Sequence, residues 1–473
     1  VARERVAEEG WFGKNVLVMG LGLHGGGVEV VKFFLKEGAS VRVTDLKTQA
    51  QLASSLERLR GLPVRYTLGR HEEADFLDAD LVVVNPGVPK ESRFLALARG
   101  IPVETEMNIV FRRCRAPITG VTGSNGKSTT TQLLGHILRT AGERVWVGGN
   151  IGRPLINRVD AIRRDDRVVL EISSFQLEDL GAMGSSPRTA VVLNITPNHL
   201  DRHRSFRSYR EAKANILRFQ ADGDLAVLNA DDPEVRTMGG LGHGRRVFFS
   251  MNGFFPEKDM CSGSCLAGDS VFSVVKERET ARRVRLFETS DLPLPGRHNL
   301  QNAMAAATTA FFQGVPPRII REGIASFEGL PHRLERVRRV AGVTYYNDSV
   351  STTPEAVMAA IRSIPGPLAL IAGGTNKGLS FAGLARVICE RVSYLALLGS
   401  TREVIRNEVL RSGRSCVPRI QSVDSLEEAV RWARAVCPPG VTVLFSPGCA
   451  SFDMFPNSEE RGERFRDLVM SLS

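Results

Sequence analysis

The chain alternates unbroken apolar runs with segments whose apolar residues recur at helical spacing. "NVLVM" at 15–19 is continuous and apolar, and "VEVVKFFLKEG" after it gathers its apolar positions on one helical face. "SVRVTD" and "ADLVVVNPGVP" repeat the strand theme, each ending in polar or turn-forming residues. A strand with one face in water alternates apolar and polar residues, whereas an unbroken Val/Leu run is buried on both faces. Runs of this kind interleaved with helices predict a parallel sheet covered on both sides.

The theme restarts twice. Near Glu106 it resumes with "APITGVTGSNGKSTTTQLLGHILRTAG" and continues through "RVWVGGNIG", "RVVLEISSFQ", "TAVVLNITPNHLDRH" and "GDLAVLNADDP". Residues 245–295 read as irregular, with short β-like pieces, before the alanine-rich helix former "GRHNLQNAMAAATTAFFQ". After "FEGLPHRLERV" come the strands "VTYYND", "LALIAGG", "YLALLGS" and "VTVLFSPG", with helical segments such as "SLEEAVRWARAV" between them. A chain of 473 residues is too long for one core. Three α/β domains in series are expected.

Composition narrows the class. Apolar residues at 42% and charged residues at 24% describe a globular protein. No apolar run reaches the roughly 18 residues that span a bilayer, and "VARERVAEEGWFG" lacks a signal-peptide core. A cytoplasmic protein with no membrane insertion is expected. Seven scattered cysteines, with only Cys261 and Cys265 close together, predict reduced thiols. The net charge of +10 favours anionic ligands, but the basic residues are spread and not interleaved with aromatics. Phosphorylated small molecules suit this charge, and no nucleic acid is expected.

Two glycine turns carry the candidate chemistry. Gly20-Leu21-Gly22-Leu23-His24-Gly25 fits G-x-G-x-x-G between a strand and a helix, and Asp45 ends the next strand where a ribose-binding acid would lie. Helix N-termini bind phosphate of any origin, so the motif points to a diphosphate-bearing nucleotide more than to nicotinamide. Taken alone it would suggest an NAD-dependent dehydrogenase. A second signature weakens that reading. "TGSNGKST" nearly spells G-x-x-x-x-G-K-[ST], with Val121 where the first glycine should stand. Gly123, Ser124, Asn125 and Gly126 would cradle phosphate oxygens through backbone N–H groups, with Thr129 closing the loop. Lys127 would reach the β and γ oxygens, and the Ser128 hydroxyl is placed for Mg²⁺. Glu171 ends the strand "RVVLE" as a metal-binding acid would, and His199 follows another strand beside the same site.

"TGSNGKST", "GGNIG", "LEISSFQLE", "NITPNHLDRH", "YREAKANIL", "GRHNLQNAMAA", "GLPHRLE", "NDSVSTTPEA" and "FSPGCASFD" follow one another in an order that resembles the Mur ligases, in particular their glutamate-adding branch. That family uses a shortened loop, G-x-x-G-K-[ST], in which Gly123 and Gly126 are the pair and Val121 belongs to the incoming strand. The resemblance implies an N-terminal Rossmann-like domain at 1–107, a central P-loop ATPase domain with a mostly parallel sheet at 108–328, and a C-terminal Rossmann-like domain at 329–473. It also implies an ADP-forming acid–amino-acid ligase of peptidoglycan precursor synthesis, acting as a monomer. Such an enzyme adds glutamate to UDP-N-acetylmuramoyl-L-alanine through an acyl phosphate; D-glutamate is the expected form and L-glutamate the alternative.

By the same resemblance Ser128 and Glu171 hold one Mg²⁺ and His199 helps to hold a second. Lys213 carries a carbamate that also binds metal; the pattern by itself would make it a solvated helix lysine. Asn299, Arg333 and Asp348 contact ATP, while Thr352, Lys377 and Ser451 bind glutamate. Leu23, His24 and Asp45 hold uridine diphosphate, and Asn150 contacts the sugar. Two positions depart from the family pattern: Val350 stands where lysine is expected, and Ser458 where an aromatic is expected. Both fall around the amino acid. Folylpolyglutamate synthase shares the loop but lacks a complete first domain. An inactive nucleotide-binding regulator would not need Lys127, Ser128 and Glu171 together.

Overall fold

The computed structural model describes residues 10–23, 25–98, 100–152, 154–198, 200–252, 262–277, 280–376, 378–412 and 418–473. The chain forms two compact units, one of residues 1–289 with 301–324, the other of 290–300 with 325–473.

The first unit holds two sheets. In the N-terminal one, β1 (Asn15–Met19), β2 (Ser40–Asp45), β3 (Val64–Leu68), β4 (Leu81–Val84) and β5 (Val103–Glu104) lie in the order β3-β2-β1-β4-β5, all parallel. The chain winds outward in one direction through β2 and β3, then returns to the other side of β1 through β4. A crevice opens where the winding reverses, at the carboxyl ends of β1 and β4. The helix Gly26–Lys36 buries Val28, Val30, Val31, Phe33 and Phe34 against this sheet, the face that its apolar spacing predicted.

The second sheet has nine strands: β6 (Ile118–Thr122), β7 (Val145–Gly149), β8 (Arg167–Glu171), β9 (Thr189–Val192), β10 (Leu225–Asn229), β11 (Arg245–Ser250), β12 (Gly263–Ala267), β13 (Ser270–Glu277) and β14 (Thr280–Glu288). Their order is β14-β13-β12-β11-β10-β9-β6-β8-β7. Pairing is parallel from β7 to β12 and antiparallel among β12, β13 and β14. The described residues of 245–295 are therefore more regular than expected. β14, "TARRVRLFE", exposes Arg282, Arg283 and Arg285 and buries Leu286 and Phe287, so its mixed pattern hid a half-buried strand. β6 is buried throughout, Val121 included at 0% exposure, and it sits between β9 and β8. Val121 is thus a strand residue, as the shortened loop requires.

The second unit carries β15 (Glu335–Val340), β16 (Val343–Asn347), β17 (Leu368–Gly373), β18 (Val392–Leu398), β19 (Arg419–Ser422) and β20 (Thr442–Phe445). The order is β15-β16-β20-β17-β18-β19, with β15 antiparallel and the rest parallel. Separate apolar clusters cover its two faces. On one of them Phe445 stacks on Phe465 at 4.6 Å between ring centres, which anchors the helix Ser458–Met470 to the sheet. No helix among the described residues is long and apolar enough to cross a membrane. The described cysteines, Cys114, Cys265, Cys389, Cys437 and Cys449, are all free.

Candidate active site

β6 runs into the loop 123–126, and the helix Lys127–Thr140 leaves it. Gly126 caps that helix at φ 82°, in the left-handed region, and a Cβ there would lie 2.2 Å from Asn302 Oδ1. Neighbouring strand ends hold the loop by hydrogen bonds. Asn125 N–H donates to Asn194 Oδ1 at 2.8 Å, and Asn194 Nδ2 donates back to Asn125 O at 3.1 Å. Ser124, 5% exposed, bonds through Oγ to Thr196 O at 3.0 Å and lies 2.9 Å from the Tyr209 hydroxyl. Lys127 folds back over the loop, and its Nζ donates to Gly123 O at 3.0 Å and Ser124 O at 3.1 Å. Thr129, in the first turn, is buried, and Ser128 is half-buried. The first turn of an α-helix leaves N–H groups without intrahelical partners, so the loop offers donors to an anion.

Glu171 ends β8 opposite Val121 of β6, two residues before the loop begins. It is 2% exposed; Oε1 accepts from Asn150 Nδ2 at 2.8 Å, while Oε2 is buried with no protein donor. A buried carboxylate oxygen without a partner is costly unless a cation meets it. Gly149 fixes the Asn150 approach: its φ is 94°, and a Cβ there would sit 2.1 Å from Glu171 O. Asn150, expected at the sugar, is thus a hydrogen-bond partner of Glu171. Among the described residues no three His, Cys, Asp or Glu side chains cluster as metal ligands. One carboxylate and a nearby serine hydroxyl form a hard oxygen set of the kind that suits Mg²⁺, so the residues present fit that ion. His199 lies outside the described residues.

Lys213 overturns the reading that its pattern alone gives. On the helix Phe206–Arg218 it is 1% exposed, and its Nζ donates to Thr122 Oγ1 at 3.2 Å and Gly123 O at 3.0 Å. Burial, with Lys127 beside it, holds its amine well below the ordinary lysine range, against the pull of Glu171. Two lysine amines therefore share the carbonyl of Gly123. The burial was legible in principle, because Tyr209, Lys213, Ile216 and Leu217 fall at i, i+4, i+7 and i+8 on one buried helical face.

At the first glycine turn Asp45 is 5% exposed and already engaged. Its Oδ2 accepts Leu21 N–H at 2.8 Å and Gly22 N–H at 3.2 Å, and its Oδ1 accepts Lys47 N–H at 2.8 Å. Leu23 is 47% exposed beside it, and His24 lies outside the described residues. Sequence reasoning missed two neighbours. Arg58 Nη1 comes within 2.6 Å of where a Cβ on Gly25 would be, and its Nη2 pairs with Glu29 at 2.9 Å. Glu106 faces a cavity of about 30 Å³ shared with Gly20, Gly26, Gly27 and Asn85. Burial and the charge of Glu29 push its carboxyl up to about 7, against the Ile156 N–H that it accepts. Neither follows a motif, because each meets the turn from a distant part of the chain.

In the second unit, Asn299 Nδ2 donates to Pro295 O at 2.7 Å, and Arg333 is exposed. Asp348 is 2% exposed, accepting Leu334 N–H at 3.1 Å and the Ser446 hydroxyl at 2.7 Å. Burial pushes its carboxyl up to about 6, opposed by the hydrogen bonds of Ser351, Ser446 and Leu334 and by the charge of Arg333. The loops after β16, β17 and β20 are tied together: Gly448 N–H donates to Ser351 O at 2.9 Å, and Thr375 N–H to Ala450 O at 2.9 Å. Thr352 and Ser451 sit on these loops, Ser451 at 3% exposure; Lys377 lies outside the described residues.

Three family profiles match in series. Residues 14–105 match a profile described as Mur ligase MurD-like, N-terminal domain; 121–310 match the Mur ligase middle domain; 332–449 match the Mur ligase glutamate ligase domain. The chain belongs to the Mur ligase family. Among its relatives is the UDP-N-acetylmuramoylalanine–D-glutamate ligase of Roseiflexus sp. (strain RS-1), 43% identical over 465 residues that cover 98% of this chain and 99% of the relative. The protein of the same name from Geobacter metallireducens is also 43% identical, covering 97% and 98%. The solved MurC UDP-N-acetylmuramate-alanine ligase of Thermotoga maritima shares the fold at TM-score 0.61 and 17% identity, over 97% of this chain and 99% of that one. A pseudomurein peptide ligase type C from Methanothermus fervidus does so at TM-score 0.54 and 18% identity, over 97% and 100%.

Membership in the Mur ligases sets aside the dehydrogenase reading of Gly20–Gly25, since that turn lies inside the MurD-like match. In this Mur ligase the first unit brings Gly123–Ser128, Asn150, Glu171 and Lys213 together around one loop. Asn299, Arg333, Asp348, Thr352 and Ser451 belong to the second unit, and Leu23 and Asp45 to the first.

Proposed function

We propose that this Mur ligase joins D-glutamate to UDP-N-acetylmuramoyl-L-alanine at the expense of ATP, forming ADP and phosphate. The observation that carries the reading is the meeting of Lys127 and Lys213 on Gly123 O, with the unpartnered oxygen of Glu171 beside them. The names of the curated relatives favour D-glutamate over the L-form.

The loop 123–126 and the first turn of the helix after it receive the β and γ phosphates, and Lys127 leaves its loop carbonyls for the phosphate oxygens. The carboxylate of the alanyl substrate attacks the γ-phosphorus, the bond to ADP breaks, and an acyl phosphate results. The glutamate amine then attacks the acyl carbon, and phosphate leaves with the bridging oxygen. Each step brings negative groups together, so Lys127 contributes most where that charge is greatest. Mg²⁺, when bound, supplies further positive charge at the triphosphate. Ser128, Glu171, His199 and a carbamate on Lys213 would hold it. A buried lysine whose amine burial keeps well below the ordinary lysine range is suited to that modification: the free amine adds to CO₂, a proton leaves, and an anionic carbamate results.

Leu23, His24 and Asp45 are assigned to the uridine diphosphate end, Asn150 to the sugar, and Thr352, Lys377 and Ser451 to glutamate. Asn299, Arg333 and Asp348 are assigned to ATP. The enzyme is taken to act as a monomer in the cytoplasm, with domains near 1–107, 108–328 and 329–473.

The test is phosphate release from ATP with Mg²⁺ and UDP-N-acetylmuramoyl-L-alanine, adding D-glutamate, L-glutamate, L-lysine or D-aspartate in turn. Release dependent on D-glutamate is expected. Release with none of the four removes the reading.

A further inference from the structure

The helix Ser458–Met470 carries three arginines, and only Arg461 is buried. Arg464 pairs with Glu427 and Arg466 with Glu463. Arg461 has no carboxylate within ion-pair distance among the described residues, yet it is 2% exposed. A guanidinium buried without a counter-charge is expensive, by several kcal/mol for the unpaired ion. The acid nearest in effect, Asp453, acts at longer range, and its Oδ2 accepts Ser400 N–H at 2.9 Å.

The partners of Arg461 are neutral and all lie on the ligand-side loops. Nε donates to Ser349 Oγ at 3.0 Å, Nη2 to Ser349 O at 2.7 Å and Nη1 to Cys449 O at 3.2 Å. Ser349 Oγ in turn donates to Ser458 O at 2.7 Å, which closes the loop onto the first turn of the arginine's own helix. Those three bonds use three of the five N–H donors of a guanidinium and leave two. The third loop is packed against the same group: a Cβ on Gly374 would lie 3.3 Å from Arg461 Nη1 and 2.4 Å from Ala450 O. Gly374, at φ 146°, is the residue that permits this approach. Arg461 therefore lies beneath the loops that follow β16, β17 and β20, at the carboxyl end of a parallel sheet, where open α/β sheets take ligands. The Thr375 hydroxyl on the middle loop is also buried with no partner.

We propose that Arg461 is the fixed positive charge of the amino-acid site: a positioning residue that locks the three loops in register and attracts a carboxylate of the incoming amino acid. The inference rests on the amino-acid site proposed above. A cation held under the loop floor by neutral acceptors, with Asp453 acting on it only at longer range, keeps most of its field for the ligand. It also supplies charge on the side of the site where Val350 and Ser458 carry none.

Steady-state kinetics on the full chain test it, varying D-glutamate, ATP and UDP-N-acetylmuramoyl-L-alanine separately in wild type, Arg461→Gln and Arg461→Lys, with folding checked by circular dichroism. Arg461→Gln is expected to raise the KM for D-glutamate roughly 10- to 100-fold and to leave the other two KM values and the kcat at saturating glutamate within about 3-fold. Arg461→Lys, which keeps the charge, is expected to recover part of the loss. Arg461→Met is the second neutral variant should Arg461→Gln not fold. A glutamate KM unchanged in a folded neutral variant overturns the inference, as does an equal rise in all three KM values or a lysine variant no better than glutamine. Wild type with no amino-acid-dependent phosphate release overturns the functional reading as well, so the two failures are distinguishable.

Discussion

The first unit uses one backbone device twice, with opposite side-chain chemistry. Both turns follow a buried parallel strand, contain a glycine in the left-handed region and open a helix. At Gly20–Gly25 the turn's N–H groups are partly consumed from within, because Asp45 accepts those of Leu21 and Gly22. At Gly123–Gly126 the resident side chain is a cation: Lys127 caps the carbonyls of Gly123 and Ser124, while Asn194 accepts the N–H groups of Ser124 and Asn125. An acid in the turn limits how much more negative charge can approach, while a lysine invites it. The glycines set the shape of each turn, and the resident side chain sets how much positive charge the protein itself supplies to a phosphate there.

The sharpest way to break this contrast is to remove the cation. Lys127→Ala should lower kcat/KM by about 10³-fold or more, the scale of losing a charge that acts mainly in the transition state. A loss below 10-fold in the rate of phosphate release would make the two turns equivalent. Lys213→Ala should abolish turnover to a similar degree of about 10³-fold, and added short-chain carboxylates should restore part of it. Wild-type rates in the variant would remove the carbamate. Glu171→Gln should cost on the order of 10²-fold in kcat and weaken the response of rate to Mg²⁺ concentration; an unchanged magnesium titration would count against a metal at its unpartnered oxygen.

Legibility differed between the regions for physical reasons. β1, β2, β4, β6 to β10, β16 to β18 and β20 were readable because a strand buried on both faces is apolar at consecutive positions, whereas β3, β5, β15 and β19, short or partly exposed, were not; "GKST" was readable because few sequences fit that turn. Asn150 meeting Glu171 was not readable, because the contact joins the ends of β7 and β8 across 21 residues. Lys213 was misread by pattern because lysine is usually exposed, although its buried helical neighbours pointed inward. β13 and β14 were read only as short β-like pieces because an edge hairpin with arginines on its open face lacks the continuous apolar signature. Arg461 was not singled out, since what marks it is its burial among neutral partners, which no local pattern shows.

Smaller effects sharpen the account of the first turn. Asp45→Ala should raise the KM for the nucleotide sugar about 10-fold while leaving the KM for ATP alone, because the turn it braces lies on the N-terminal sheet. Equal changes in both would mean general loosening. Glu106, facing the same turn, tests its electrostatics through stability. Its carboxyl titrates near 7 in the fold and near the ordinary carboxylate value when unfolded, so the folded state binds the extra proton between about pH 4.5 and 7. Stability from this group is therefore lost as pH rises through that window. Glu106→Gln should be more stable than wild type by on the order of 1–3 kcal/mol at pH 8 and nearly equal at pH 4, as read by denaturant midpoints. A gain of the same size at both pH values would contradict a raised carboxyl.

The claim beneath all of these is that the Gly123–Gly126 loop delivers the terminal phosphoryl group of ATP to a carboxylate oxygen. Its most direct test is to label the alanyl carboxylate of the nucleotide sugar with ¹⁸O and analyse the phosphate released in the presence of D-glutamate by mass spectrometry. The account predicts one ¹⁸O atom in each phosphate, carried over from the acyl phosphate. Phosphate released at the same rate without the label would contradict it.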